Sequence, residues 1–334
     1  MVNHKEVSPN SPDQTSSAPA LEVRNLLKSY GAYPGVWDVN LSVAQRTLHG
    51  FLGPNGSGKT TTMKCVMGLL RKNSGSVRVF GVEPHGDALE LKKRVGYMPE
   101  SPSFPGYLKG REVLLTYGRI RGASDKTKLN EESKSLLQKV DLADAAEKAV
   151  GKYSKGMQTR LGLATAMLGN PDLLILDEPT GGLDPVGVIE VREMLKQLVS
   201  EGHTVLLSSH QLSEVHQMCT AVTVVNKGKT VSEGRVEDLS KRLQGGVVYR
   251  AEFDLLSPGL MKELKETEGV LEIKVLHGKV VRILVSEDYD LRPELARTAT
   301  DAGSLLLTCE REEASLEELF MSLVKENKAA SSES

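Results

Sequence analysis

The run Gly53-Pro54-Asn55-Gly56-Ser57-Gly58-Lys59-Thr60 constrains the fold of this chain more than any other stretch in it. It fits the pattern GxxxxGK[ST] at every position. The apolar run 47–52 precedes it and a helical stretch starting at Lys59 follows. Strand, glycine-rich turn and helix in that order build a phosphate cradle. The glycines let backbone N–H groups curl around phosphate oxygens, and the helix N-terminus adds a favourable dipole. Lys59 is placed to neutralise β- and γ-phosphates and the Thr60 hydroxyl to sit on Mg²⁺.

A second apolar run, Leu173-Leu174-Ile175-Leu176, ends in Asp177 and Glu178. Asp177 at a strand's end would hold Mg²⁺ directly or through water. Glu178 could polarise an attacking water, given hydrogen-bond reach and an ionised state. A third element, Tyr153-Ser154-Lys155-Gly156-Met157-Gln158, opens a helix reaching to about Gly169. Ser154 at its N-cap and Gly156 in its first turn make a second anion-binding helix end; alone they would read as a plain cap.

Together these motifs resemble the ATP-binding subunits of ABC transporters, over residues 20–243. The resemblance implies a P-loop α/β nucleotide-binding domain with a helical subdomain at about 102–169, ATP and Mg²⁺ as ligands, and ATP hydrolysis coupled to transport. Gly53, Pro54, Asn55, Gly56, Ser57, Gly58, Lys59, Thr60 and Thr61 would hold the nucleotide, with Tyr30 similar to the aromatic that stacks on adenine; a plain core aromatic is the other reading of Tyr30. Ser154 and Gly156 would occupy the signature motif, and Gly182-Leu183-Asp184-Pro185 looks like the D-loop. Glu178, His210 as the switch histidine, and Lys59 would be catalytic. Thr60, Glu100 and Asp177 would face the metal.

The family resemblance also implies a head-to-tail dimer, each ATP lying between residues 53–61 of one subunit and 154–156 of the other. It implies an integral-membrane permease as partner, reached through Glu100 and residues 102–108, and a peripheral position on the cytoplasmic face of the membrane. Two motifs depart from the family pattern. Lys155 and Met157 replace a Gly and a Gln of the usual signature, and Glu100 replaces the usual Gln. Both variants resemble the branch of drug and antibiotic exporters whose permease is a separate polypeptide. A non-transport ATPase of the same family, acting on a macromolecular partner, is the alternative.

Composition narrows the remaining classes. Lys plus Arg is 42 and Asp plus Glu 44, a net charge of -2, so a basic nucleic-acid-coating footprint is not expected. The apolar stretches fall short of the ~20 residues that cross a bilayer. Cys65, Cys219 and Cys309 lie far apart in unlike contexts, with no zinc or disulfide spacing. The runs 47–52, 173–176 and 204–208 read as buried parallel strands, and 111–119 and 131–140 show helical spacing.

Past Gly245-Gly246 the rhythm changes. Residues 247–253, 270–276 and 280–286 alternate, 258–267 and 293–302 read as helices, and 304–309 as a strand. That order is ferredoxin-like and predicts a small α+β accessory domain over 245–327, either stabilising a dimer or sensing a ligand. A capping box, Ser315 with Glu318, starts a further helix over 315–324. Residues 1–19 and 328–334 carry too little apolar surface to offset their ordering entropy and read as tails.

Overall fold

The computed structural model describes residues 18–31, 33–85, 88–236, 238–239, 247–286 and 290–312. The expected helix at 315–324, the 245–246 boundary and most of both tails lie outside the described residues. Seventeen elements precede residue 236. They are β1 (Leu21–Tyr30), β2 (Tyr33–Val43), β3 (Leu48–Leu52), α1 (Lys59–Val66), β4 (Ser74–Val79), α2 (Leu89–Lys93), β5 (Val95–Met98), α3 (Gly110–Ile120), α4 (Lys126–Lys139), a 3-10 turn (Val150–Lys152), α5 (Lys155–Met167), β6 (Leu173–Asp177), α6 (Pro185–Ser200), β7 (Thr204–Ser209), α7 (Leu212–Met218), β8 (Ala221–Asn226) and β9 (Lys229–Arg235).

The strands form one nine-stranded sheet in the order β4-β1-β2-β9-β8-β3-β7-β6-β5. The run from β8 to β5 is parallel. Every residue of β3, β6 and β7 is buried, which is why these strands read as near-continuous apolar runs. Their side chains alternate between two cores. Leu48, Leu52, Leu174, Leu176, Val205 and Leu207 meet Val113, Leu114 and Leu161 of the helical layer on one face. Phe51, Leu173, Ile175 and Leu206 meet Met63 and Val66 of α1 on the other.

The runs 47–52, 173–176 and 204–208 are parallel strands as expected, whereas the far wing is antiparallel. β1 pairs antiparallel with β2 and β4, and β8 with β9. Only Leu21, Val23 and Leu26 of β1 are buried, between half-buried and exposed residues, so this wing buries one face and is free to be antiparallel. Within it β2 and β9 share a single parallel bridge, Asp38 to Lys229, and β9 meets the parallel part along its antiparallel ladder with β8.

Residues 247–312 form a second unit: β10 (Val247–Phe253), α8 (Pro258–Glu266), β11 (Val270–His277), β12 (Val280–Val285), α9 (Arg292–Asp301) and β13 (Leu306–Glu312). Its antiparallel sheet has the order β11-β12-β10-β13, the ferredoxin-like arrangement. Tyr249, Ala251, Phe253, Val281 and Ile283 of the sheet pack on Leu260, Leu264 and Leu295 of the two helices. Ser257 caps α8 by accepting from the Leu260 N–H at 3.1 Å, and Pro258 occupies its first turn.

Candidate functional site

The turn between β3 and α1 can be made only with glycine at two points. Gly58 has φ 102°, and a Cβ there would lie 2.3 Å from Val36 Cγ1; a Cβ at Gly53 would lie 2.3 Å from the Val225 carbonyl oxygen. The compact loop leaves the Ser57 hydroxyl buried without a partner. Lys59 is nearly buried; its ammonium donates to the Gly53 carbonyl at 2.7 Å and lies 3.5 Å from Glu178 Oε1. An ammonium held by the Gly53 carbonyl, more loosely by the Pro54 carbonyl at 3.4 Å, and by one carboxylate, beside an orphaned hydroxyl and a glycine cradle, suits a phosphate that takes over those contacts.

The carboxylates arrive from β6. Asp177 ends the strand, fully buried, and accepts from Thr60 Oγ1 at 2.8 Å and from Ser208 Oγ at 2.5 Å. The same Ser208 hydroxyl accepts the Glu178 N–H at 2.9 Å. Glu178 sits at φ 52°, a left-handed conformation that costs a non-glycine residue about 1–3 kcal/mol and is met most often at functional sites. The turn aims its carboxylate at both Lys59 and His210, whose Nδ1 lies 2.9 Å from Glu178 Oε2. Thr180 Oγ1 donates to Glu214 on α7 at 2.7 Å, tying the segment after Glu178 to the helix after His210.

Lys59, Thr60, Asp177 and Glu178 line a cleft of about 410 Å³ with Gly35, Pro54, Asn55, Gly56, Ser57, Gly58, Thr61 and Glu100. Thr60 and Asp177 are hard oxygen donors, suited to Mg²⁺, which is held by one or two protein oxygens together with substrate phosphates. Among the described residues no cluster of three His, Cys, Asp or Glu side chains forms a metal cage. Tyr30 is about half exposed rather than a core aromatic, and its ring packs on Gly35, whose Cβ would lie 2.8 Å from Tyr30 Cε2. Sequence reasoning passed over Gly35 and Ser208; the Pro-Gly after the aromatic pair at 30–33 was the available signal for Gly35.

Ser154 and Gly156 lie elsewhere. Ser154 caps α5 by accepting the Met157 N–H at 3.2 Å. Both residues line a separate concavity of about 680 Å³ with Lys155, Met157, Gly182, Leu183 and Asp184. Asp184 in turn caps α6, accepting from the Gly187 N–H at 2.9 Å ahead of Pro185. The two lining sets share no residue.

A third hollow, apolar and about 540 Å³, opens between α2, β5 and α3, lined by Leu69, Val95, Tyr97, Phe104, Tyr117 and Ile120 among others. The phenol of Tyr97 is buried without a partner, and burial together with the Asp177 charge pushes its pKa up to about 12. The segment from Pro99 to Phe104 runs between the two sites: Glu100 lines the cleft, while Pro99, Pro102, Ser103 and Phe104 line the hollow.

Comparison with known proteins agrees with this geometry. The family described as "ABC transporter" matches residues 36–181. The chain is 34% identical over 306 residues to the bacitracin transport ATP-binding protein BcrA of Bacillus licheniformis, covering 91% of this chain and 97% of that protein. It is 36% identical over 226 residues to the daunorubicin resistance ATP-binding protein DrrA3 of Streptomyces coeruleorubidus, covering 68% and 71%. A solved structure of the ATP binding subunit of an ABC transporter superposes with a TM-score of 0.62 at 26% identity, over 67% of this chain and 93% of that one. With these motifs, this sheet and relatives matched almost end to end, the chain belongs to the ATP-binding subunits of the ABC transporter family, which hydrolyse ATP to drive transport.

Proposed function

We propose that two copies of the chain, or one copy and a related subunit, close head to tail on MgATP and power a separate membrane permease in the export direction. The observation carrying this reading is the separation of the Ser57–Lys59 cleft from the Ser154–Gly156 concavity. One molecule has both halves of a triphosphate site but not facing each other, whereas a two-fold pair supplies each cleft with the opposite signature end.

Within such a site, Lys59 exchanges the Gly53 carbonyl for β- and γ-phosphate oxygens, and the glycine-turn N–H groups hold the rest. Thr60 and Asp177 would hold Mg²⁺, with Glu100 facing it, and the metal neutralises charge on the phosphate oxygens. Glu178 takes the proton of the attacking water; His210 and the Ser208-bound backbone fix its carboxylate. Tyr30, exposed against Gly35, offers its ring to the adenine. After hydrolysis the γ-phosphate contacts are gone and the halves part, which is the differential ligand contact a two-state motor needs.

The permease docks in the apolar hollow beside Glu100, on the cytoplasmic face of the membrane, and the residues 99–104 carry the movement. Among the described residues no helix is long and apolar enough to cross a membrane. The relatives named for bacitracin transport and daunorubicin resistance favour a cargo of that small-molecule kind over a macromolecular client.

Glu178→Gln tests the core of this reading. The variant should bind MgATP, sediment as a dimer in it and lose at least about a hundredfold in turnover. Parental turnover in the variant would remove Glu178 from the role of base.

A further inference from the structure

The cleft is short of positive charge. Three carboxylates line it, Glu100, Asp177 and Glu178, against the single ammonium of Lys59. Asp177 is engaged by Thr60 and Ser208, and Glu178 by Lys59 and His210. Glu100 is exposed, and among the described residues no cation lies within 4.0 Å of it. A triphosphate brings several more negative charges to the same space.

The signature concavity is lined by three carboxylates, Asp141, Asp144 and Asp184, and two cations, Arg160 and Lys155, of which Lys155 is the one without an ion-pair partner among the described residues. Lys155 is exposed at the first position of α5, between Ser154 and Gly156. Its stem lies over the backbone of Gly182: a Cβ there would meet Lys155 Cδ and Cε at 2.7 Å and Nζ at 3.0 Å. The side chain is therefore braced along the wall that also carries Leu183 and Asp184. Asp184 is occupied as the cap of α6 and Asp141 pairs with Arg160 at 2.9 Å. Asp144 lines the same concavity, yet among the described residues no carboxylate lies within 4.0 Å of the Lys155 ammonium.

We propose that Lys155 is a phosphate ligand acting in trans, whose ammonium enters the opposite subunit's cleft between the γ-phosphate and Glu100. This inference rests on the head-to-tail reading. Glu100 adds a negative charge where the family usually has an amide, and Lys155 adds a positive charge where it usually has no side chain; in one molecule the two line different hollows. In the closed pair they face the same triphosphate, and each charge makes the other tolerable. A braced cation beside the N-cap of α5 also tells ATP from ADP, because only the γ-phosphate reaches that far.

A double-mutant cycle on the full chain in the Glu178→Gln background tests this, with sedimentation velocity in MgATP as the readout. Lys155→Met keeps the stem over Gly182 and removes the charge. It should weaken ATP-driven dimerisation about tenfold, the scale of one charge-assisted hydrogen bond. In chains that also carry Glu100→Gln the same change should cost less than about threefold, and Lys155→Arg should stay near the parent. Parental dimerisation by Lys155→Met would reduce Lys155 to a brace for Gly182 and overturn the proposal. Equal losses with Glu100 and with Gln at that position would overturn the pairing. If the Glu178→Gln parent itself stays monomeric in MgATP, the head-to-tail reading falls and this inference with it; if the parent dimerises and Lys155→Met changes nothing, only the inference falls.

Discussion

His210 and Glu178 hold each other in place: Nδ1 of the histidine lies 2.9 Å from Oε2 of a carboxylate whose backbone is fixed at φ 52°. The glutamate is almost enclosed while the histidine is half exposed, so the contact is made at the lip of the cleft. His210→Ala should free the Glu178 carboxylate to swing toward Lys59. Turnover should fall by about one to two orders of magnitude with little change in nucleotide affinity, measured as phosphate release against fluorescent-nucleotide binding.

Ser208 supports two functional groups with one hydroxyl, donating to Asp177 and accepting from the Glu178 N–H. Ser208→Ala leaves the amide and one carboxylate oxygen without that partner. A loss of about 1–3 kcal/mol follows, read as a lower midpoint in urea, with a fall in turnover larger than the stability loss alone explains.

The glycine turn permits a sharper test of form. Gly58→Ala demands φ 102° of a residue that avoids it and places a methyl 2.3 Å from Val36 Cγ1. The chain should lose about 1–3 kcal/mol or shift the loop, and nucleotide binding should fall steeply in equilibrium titration.

His49 makes the protein sensitive to acid. It lies inside β3, its Nε2 2.9 Å from Thr223 Oγ1, and burial lowers its pKa to about 4. Below pH 6.5 the unfolded chain takes up a proton that the folded chain refuses. Stability is therefore lost as pH falls from about 6.5 to about 4, by roughly 3 kcal/mol in full. Glu233, bonded to the same Thr223 and raised by burial, works in the opposite direction because its folded form accepts a proton first. The difference in denaturation midpoint between the parent and His49→Gln, followed from pH 7 to pH 4.5, isolates the histidine's share. An unchanged difference across that range would contradict it.

Tyr97 carries a buried phenol with no partner beside the apolar hollow. Tyr97→Phe removes an unsatisfied polar atom while keeping the ring, so the isolated subunit should be no less stable, and up to about 1–3 kcal/mol more so, in thermal denaturation.

Much of the fold could be read along the chain because its strongest signals are local. β3, β6 and β7 announce themselves as near-continuous apolar runs, and Ser154, Asp184 and Ser257 mark helix starts by a chemistry that reaches only three residues ahead. The antiparallel wing was not legible, since β1 and β2 are half buried and carry bulges between Val23 and Ser29 that blur the two-residue period. In the site, the glycine turn and the acids at the end of β6 stand out for the same local reason. Ser208 did not, because its partners lie 30 and 31 residues away and are assembled only by the β6–β7 register. Tyr97 carries no local signal of its own; the packed structure shows its phenol buried without a partner and raised in part by the Asp177 charge.

The disjoint hollows on one molecule carry a physiological corollary. On the head-to-tail reading a solitary subunit would have nowhere to complete its reaction, and dilution would work as an off switch that needs no inhibitor. On that reading a cell making more of this ATPase than it has permeases would waste little fuel, since free copies would meet rarely and copies gathered on permeases would meet often.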